Sequence, residues 1–233
     1  MGKADLHIHT AYSMDGTASV REVLESAVRT GLDVIAITDH NEIQGALEAR
    51  EICKGSGVEV IPGVEVTTRE GHLVALFVEQ NIPRGMPVIE ALLLIHEMGG
   101  LGIAPHPQQP VPNSITLKSI QSALEHPLAR EALLGIEVCN MNPSHSPYNR
   151  HSQQIADGLP LARIASSDAH MASMIGAGVT HFEGDTAQDL RHAIQHCATR
   201  PEQVNYENSR RVFLRWLRLY IRRQFLHPKP SGL

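Results

Sequence analysis

Short apolar runs alternate with amphipathic segments along most of the chain. The runs are rich in β-branched residues, which is typical of buried strands, whereas the amphipathic segments have helical periodicity and are bounded by cap residues and glycine. The predicted strands are 5–9, 34–38, 58–65, 73–78, 102–104, 135–140, 161–166 and 177–182. The predicted helices are 19–30, 41–54, 87–98, 117–134 with a break near Pro127, 147–157 and 186–198.

This alternation of strands and helices predicts an α/β fold with a mainly parallel sheet. The sequence has neither G-x-G-x-x-G after the first strand nor G-x-x-x-x-G-K-[ST], so a dinucleotide-binding or P-loop fold lacks its phosphate-binding loop. About seven strand–helix units in roughly 200 residues fit a compact barrel better, and functional residues of such barrels gather at the carboxyl ends of the strands.

Composition excludes several classes of protein. Apolar residues make up 42% of the chain and the formal net charge is −5, which disfavours both disorder and stable nucleic-acid binding. No apolar segment reaches the roughly 18 residues of a membrane span, and the first residues lack the apolar core of a signal peptide. Cys53, Cys139 and Cys197 are odd in number and far apart, so a reducing cytoplasm is the expected location.

Histidine is the unusual component, with 14 residues against nine aromatics. His7 and His9 close the first predicted strand and lie two residues apart, so both side chains point to one face. Histidines and acids recur at the other strand ends, and the whole set is His7, His9, Asp15, His40, Glu65, His106, His145, Asp168 and His170. Nine such groups indicate two or three divalent ions, with Zn²⁺, Mn²⁺ and Fe²⁺ all compatible. With only three carboxylates in the set, two or three divalent ions would leave the centre net positive. A positive centre favours an anionic substrate.

The motifs around these residues are short, and they occur in a fixed order. They are D-L-H-I-H-T at 5–10, Asp15-Gly16, I-T-D-H at 37–40, P-G-V-E at 62–65, A-P-H-P at 104–107, G-I-E-V at 135–138 and S-D-A-H at 167–170. The chain resembles the PHP (polymerase and histidinol phosphatase) family in this series. The resemblance implies a distorted (β/α)₇ TIM-like barrel, a di- or trinuclear metal site on the same nine positions, and phosphoester hydrolysis.

The hypothesis is therefore a metal-dependent phosphoesterase that hydrolyses a small phosphomonoester or nucleotide-type substrate by a metal-bridged hydroxide. Asp168 and His170 are the candidates for a catalytic role, with Asp168 a general acid only if metal binding does not occupy it fully. Two alternatives stay open. One is a metal-binding regulatory or membrane-tethered module without significant turnover, and the other is an amidohydrolase-like enzyme that cuts C–N bonds.

Several further residues are candidates beside the ligand set. Asp39 either orients the ring of His40 from the second shell or caps the helix that follows. His72, Arg69 and Arg150 are candidate phosphate-binding residues, although His72 starts a strand and so lies at the wrong end for a simple barrel.

The loop ligand at His145 has competitors. Asn140, Asn142 and His151 lie close to it in the sequence and also carry atoms that can bind a metal ion.

The last segment, 205–233, differs from the preceding 1–204, which form the expected phosphoesterase domain. Arg211, Arg215, Arg218 and Arg222 recur at helical spacing among apolar residues that include the only tryptophan. A basic amphipathic helix is expected here, packed on the barrel or on a partner subunit in a homo-oligomer. Contact with an anionic membrane surface is the less favoured alternative.

Overall fold

Nine strands form the sheet of the computed structural model, which describes residues 1–110, 113–204 and 208–226. They are β1 (Gly2–Ile8), β2 (Val34–Ile37), β3 (Glu59–Thr68), β4 (Gly71–Leu76), β5 (Leu101–Ala104), β6 (Leu133–Asn140), β7 (Ala162–Ser166), β8 (Gly178–Phe182) and β9 (Arg200–Gln203). Their spatial order is β7-β6-β5-β4-β3-β2-β1-β8-β9.

The two ends of this order approach each other, so the sheet is a nearly closed barrel. Ile8 at the end of β1 forms a parallel bridge with Ala169, just after β7, and the amide of His9 donates to the Ala169 carbonyl at 2.9 Å. The Thr180 hydroxyl on β8 bonds both backbone groups of Ala165 on β7. The α/β barrel of the expected type is confirmed.

The prediction of a mainly parallel sheet is wrong. Strand pairs β1–β2, β2–β3, β5–β6 and β6–β7 are parallel, but β3–β4, β4–β5, β1–β8 and β8–β9 are antiparallel. The β3–β4 hairpin is closed by Arg69 and Glu70, and that connection is too short for the crossover that parallel strands need. Strand β9 was not among the predicted strands, because its residues, RPEQ, lack an apolar pattern and are mostly exposed.

Eight helices surround the sheet in the described part of the chain. They are α1 (Val20–Thr30), α2 (Gln44–Ile52), α3 (Val88–Glu97), α4 (Leu117–Glu125), α5 (Ala129–Ala132), α6 (Asn149–Ala156), α7 (Ala187–Gln195) and α8 (Ser209–Leu226). Helix α1 follows its sequence signals closely. Ser19 and Glu22 form a capping box, and Gly31 ends the helix in the left-handed conformation, with φ 67°.

Helix α2 begins later than predicted. Ile43, rather than Asp39 or Asn41, precedes its first residue. Asn41 has a φ of 53°, and its side-chain amide exchanges two hydrogen bonds with Thr67 on β3, at 2.8 and 3.0 Å. Asn41 therefore fastens the loop to the barrel rim, and the expected N-cap at this end of α2 is wrong.

The core has two main clusters of buried aliphatic side chains. One packs α1, α2, α3 and α4 against the sheet. The second joins strands from β1 to β8 to one face of α7, where Leu190, Ala193 and Ile194 are buried. Such burial contributes about 25 cal/mol per Å² of apolar surface removed from water, so these clusters fix the strands whose ends carry the polar site.

The C-terminal segment forms α8, which packs on the barrel through Val212 and Trp216. None of the helices in the described ranges combines the length and the apolar character that crossing a bilayer demands.

Candidate metal centre

Ionisable side chains from separate strand ends meet at one rim of the barrel. His7 lies on β1 and His9 directly follows that strand. Glu65 lies on β3, and Asp168 follows β7. His72 joins them because β4 runs antiparallel to β3, so the first residues of β4 lie beside the carboxyl end of β3. The sequence argument placed His72 at the wrong end of the barrel because it assumed a parallel strand.

The carboxylate of Glu65 lies at the centre of this rim. His40 Nδ1 lies 2.9 Å and His9 Nε2 3.4 Å from its Oε2 atom, and His7 Nε2 lies 3.3 Å from the same atom. On the other oxygen, Oε1, His72 Nδ1 lies at 2.8 Å and His106 Nε2 at 3.2 Å. Five imidazoles thus converge on one buried acid.

Asp168 and Asp15 extend the cluster. Asp168 Oδ1 lies 3.3 Å from His9 Nε2, and its Oδ2 lies 3.7 Å from His145 Nε2. Asp168 adopts a left-handed backbone conformation, φ 47°, which an L-residue with a side chain seldom takes outside functional sites. Asp15 Oδ2 lies 3.3 Å from His170 Nε2 and 3.5 Å from His40 Nε2, so Asp15 links two further imidazoles.

Four overlapping triads of this cluster present ligand atoms within 4.8 Å of one another. They are His9–His40–His170, His7–His9–Asp168, His40–Glu65–His72 and His106–His145–Asp168. Buried polar atoms without a hydrogen-bond partner point into the same space, namely His7 Nε2, His9 Nε2, Asp15 Oδ1, Glu65 Oε2 and His106 Nδ1. Unpaired buried polar atoms are costly, and divalent cations satisfy such atoms. The donor set therefore fits metal ions.

A second layer of side chains fixes the imidazole rings. His7 Nδ1 lies 2.8 Å from Glu137 Oε1, and His145 Nδ1 lies 2.8 Å from the side-chain oxygen of Gln109. The hydroxyl of Ser13 lies 3.1 Å from His9 Nδ1. When Nδ1 is engaged in this way, Nε2 is left for a metal and the ring orientation is set.

The electrostatics of the cluster resemble those of a site built for cations. Burial favours the neutral acid at Glu65 and Asp168, but the surrounding imidazoles outweigh burial and hold both pKa values well below their usual range. Burial, with help from His170 and His40, lowers the pKa of His9 to about 3. Burial lowers the pKa of His145 to about 4. These four groups therefore present ionised carboxylates and neutral imidazoles, the forms that bind metals. At His7 and His40, by contrast, burial is outweighed by the neighbouring carboxylates, which raise the pKa of both imidazoles, that of His40 to about 11.

The nine expected ligands all lie in this cluster. His145, the loop position with competitors, stacks on His106 with ring centroids 4.2 Å apart. Asn140 instead donates to Asp168 Oδ2 at 3.1 Å, and Asn142 donates to the Asp168 carbonyl at 3.2 Å. His151 is exposed on α6. Of these four candidates, His145 is the one with a ring nitrogen that faces an acidic member of the cluster.

Asp39 does not hold the ring of His40. Its carboxylate accepts hydrogen bonds from the amide and hydroxyl of Thr10, at 2.6 and 2.7 Å, and from the amide and hydroxyl of Ser13, at 3.2 and 2.8 Å. Ser13 in turn contacts His9 Nδ1. Asp39 thus orients the imidazole of a candidate ligand, His9, through Ser13.

Arg69 and Arg150 lie away from the cluster. Arg69 is exposed and donates from Nε to the Gly85 carbonyl at 3.1 Å, and Arg150 is exposed on α6. The described residues that line the cavity over the cluster do not include either arginine. Their placement therefore does not support the expected phosphate contacts, because neither arginine lines the cavity over the candidate ligands.

The cavity has a volume of about 350 Å³ and contains residues that the sequence argument missed. Asn113 and Met174 line it, and Val212, Phe213 and Trp216 of α8 form one side. The buried acid Glu137 was also missed. Its signal in the sequence was a carboxylate inside the apolar strand G-I-E-V-C-N, where an unpaired charge is unfavourable.

Comparisons with known proteins show the family. The PHP domain family matches residues 5–109, and the PHP-associated family matches residues 146–199. An uncharacterised protein of Methanocaldococcus jannaschii is 44% identical over 119 residues, which are 47% of this chain and 70% of that protein. A phosphoribosyl 1,2-cyclic phosphate 1,2-diphosphodiesterase of Eggerthella lenta is 36% identical over 34% of this chain and 32% of its own length.

A solved structure shares the fold. It is a two-domain protein of Bacteroides vulgatus described as containing a predicted PHP-like metal-dependent phosphoesterase, and it superposes with a TM-score of 0.64 at 21% identity. The match covers 94% of this chain and 69% of that one.

Proposed function

The chain belongs to the PHP family of metal-dependent phosphoesterases, and from this premise we propose that it hydrolyses a small phosphorylated substrate at the barrel rim. The convergence of five imidazoles on the two oxygens of Glu65 carries the proposal. A buried carboxylate surrounded by so many ring nitrogens is a poor arrangement for a structural core and a good one for two or three divalent cations.

Each ligand has a proposed place in this centre. Glu65 and Asp168 would each serve more than one of the triads, because each carboxylate faces histidines of more than one triad. His7, His9, Asp15, His40, His106, His145 and His170 complete the set, and His72 extends it. Bound divalent cations supply Lewis acidity, which activates water and neutralises charge on a phosphoryl group.

The protein's own residues determine the rest of the reaction. Asp168 remains ionised at neutral pH, because its pKa is held well below its usual range, so Asp168 binds and orients and does not donate a proton. At His170, burial is outweighed by the hydrogen bond to Asp15 and by Asp168, which together raise its pKa. His170 Nδ1 lies 3.0 Å from the Asp168 carbonyl and donates its proton there, so Nε2, which faces Asp15, is left as the ligand atom.

Elemental analysis of the purified full chain and a phosphoester panel on the same batch test this proposal. We expect bound Zn, Mn or Fe, phosphate release from a phosphomonoester, loss of that activity with a chelator and its return with Mn²⁺ or Zn²⁺. His7→Ala and His40→Ala should each lose metal and rate together. His96→Ala is the matched control, because His96 is exposed on α3.

Three outcomes contradict the proposal. Metal binding without turnover of any phosphoester indicates a regulatory or tethering module. Turnover of amides or cyclic ureas alone indicates a C–N hydrolase. Unchanged metal content in the His7 and His40 variants shows that the ions lie elsewhere.

The location and the assembly of the chain are part of the same proposal. We propose that it works in a reducing cytoplasm, as its free cysteines allow, and that it forms no stable complex with nucleic acid. A groove on α8 is the candidate surface for a second copy of the chain. It is lined by Arg211, Leu214, Arg215, Arg218 and Leu219. Light scattering of the full chain against one ending at 208 separates a homo-oligomer from a monomer, and vesicle flotation tests membrane contact.

A further inference from the structure

Helix α8 forms one wall of the cavity that the candidate metal ligands also line. Val212, Phe213 and Trp216 line the same space as Asp15, His40 and His170, although they follow the barrel in the sequence. Residues 212, 213 and 216 lie on one face of a helix, since positions three and four apart are neighbours. The apolar wall is therefore a continuous surface.

Specific contacts fix this wall in place. The indole nitrogen of Trp216 donates to the Asp15 carbonyl at 2.9 Å. The guanidinium of Arg223, two turns further on, donates to the carbonyls of Ala11, Ser13 and Gly16 in the same loop. Helix α8 is thus attached to the loop that carries the ligand Asp15, and its position relative to the cluster is set by directional bonds.

The described residues of α8 that line the cavity carry no charge. Arg211, Arg215 and Arg218 line a separate groove with Leu214 and Leu219, and Arg223 is engaged with the carbonyls of the Asp15 loop. A subsite for a second anionic group would present these arginines to the cavity. The wall instead presents aromatic side chains. Phe213 has 53% of its surface exposed, and the centroid of its ring lies 5.8 Å from that of Trp216.

We infer that this wall is a subsite for a flat, apolar part of the substrate, and that the substrate is a phosphoester whose carbon moiety is aromatic. The inference rests on the proposed function, which places the phosphoryl group at the cluster of histidines and acids. An aromatic moiety then contacts Phe213 and Trp216 across the cavity, where stacked or edge contacts between rings add to simple burial. The wall discriminates between esters by the group they carry rather than by their phosphate.

Benzyl phosphate and methyl phosphate form a suitable pair of substrates, because their leaving alcohols are similarly acidic and only the aromatic ring differs. With the metal-loaded full chain we expect a higher kcat/KM for benzyl phosphate. Phe213→Ala should lower the ratio of benzyl to methyl kcat/KM on the order of 10-fold, mainly through KM. Leu214→Ala is the matched control, because Leu214 is the next residue, is 54% exposed and lines the other groove, so it should keep the ratio.

A binding measurement separates this inference from the proposed function. Trp216 is the only tryptophan, so its fluorescence reports on the wall directly. Benzylphosphonate, which is not hydrolysed, should change the emission of the metal-loaded protein at concentrations where methylphosphonate does not, and Phe213→Ala should weaken that response. If the emission responds but no phosphoester is hydrolysed, the subsite stands and the proposed function fails. The subsite is overturned if the emission responds equally to both phosphonates. It is also overturned if Phe213→Ala lowers kcat/KM equally for benzyl phosphate and methyl phosphate.

Discussion

The Nδ1 atom of His7 lies 2.8 Å from Oε1 of Glu137, deep beneath the candidate metal centre. Oε2 of the same carboxylate accepts the amide of His106 and the side-chain amide of Asn140, each at 2.9 Å. Both oxygens of Glu137 are thus engaged, and the acid connects β6 with two ligand-bearing segments. Burial favours its neutral form, but His7 outweighs burial and lowers the pKa, so Glu137 holds the ring of His7 as an anion.

Glu137→Gln tests this arrangement. Glutamine keeps the shape but removes the charge, and its amide nitrogen faces one of the N–H donors. We expect metal affinity to fall roughly 10- to 100-fold, with the protein still folded, because loss of such an outer partner has this effect in other metal sites. Competition with a chelating dye measures the affinity. Glu183→Gln, at an exposed position, is the control, and equal affinities for the two variants would contradict the role of Glu137.

The convergence of these side chains could largely be predicted from the sequence, because most of the candidate ligands lie at or just after strand ends. His7 and His9 are two residues apart on one strand, and their convergence follows from strand geometry alone. His72 could be named but not placed, since the direction of β4 depends on its pairing with β3. Glu137 was missed because its partners lie up to 130 positions away in the chain. The wall of α8 was missed for the same reason, as helical periodicity does not say which surface a face will cover.

The glycine at position 45 lies next to Asp39 and allows α2 to approach the ligand loop. A Cβ atom at Gly45 would lie 2.3 Å from Asp39 Oδ2 and 2.8 Å from the Thr10 hydroxyl. Alanine is favoured over glycine in helices by up to about 1 kcal/mol, so propensity alone predicts a more stable variant. The Asp39 carboxylate is held by Thr10 and Ser13 and has little room to move.

Gly45→Ala should therefore lower the Tm despite the propensity, and should loosen the ring of His9 through Ser13. Thermal unfolding with and without Mn²⁺ measures both effects, and we expect a smaller stabilisation by the metal in the variant. Gln44→Ala, at the exposed preceding position, is the control. A rise in Tm for Gly45→Ala would show that the Asp39 carboxylate can move away from the added methyl group without loss of stability.

The three cysteines should differ strongly in reactivity. Burial, with Glu137 nearby, raises the pKa of the Cys139 thiol to about 11, whereas Cys197 is exposed. Since the thiolate is the reactive form, Cys139 should resist a thiol reagent at pH 8 until the protein is unfolded. Cys197 should react first and Cys53, which is half-buried, more slowly. Cys197→Ser should remove the fastest phase, and rapid labelling of Cys139 in the native protein, read by mass spectrometry, would contradict this order.

Asp5 predicts a pH dependence of stability that is independent of metal binding. Its oxygens accept the amides of Ser167 and Gly176, each at 2.9 Å, yet burial raises its pKa from the ordinary 3.8 to about 6. The folded state therefore holds this proton more tightly than the unfolded state does. As pH rises from about 4 to 6, the free energy of unfolding therefore falls, and the difference between a pKa of 3.8 and one of about 6 corresponds to roughly 3 kcal/mol.

Asp5→Asn isolates this contribution, because asparagine does not titrate. Urea unfolding in the presence of a chelator, between pH 4.5 and 7.5, gives the free energy of unfolding of both proteins. The replacement also sets an amide nitrogen against a backbone N–H, which costs stability by an amount that does not vary with pH. The wild type minus variant difference should therefore fall as pH rises toward 6 and stay flat above it. A difference that stays constant throughout, or that grows with pH, would show that Asp5 is already ionised at low pH and that its two backbone donors outweigh its burial.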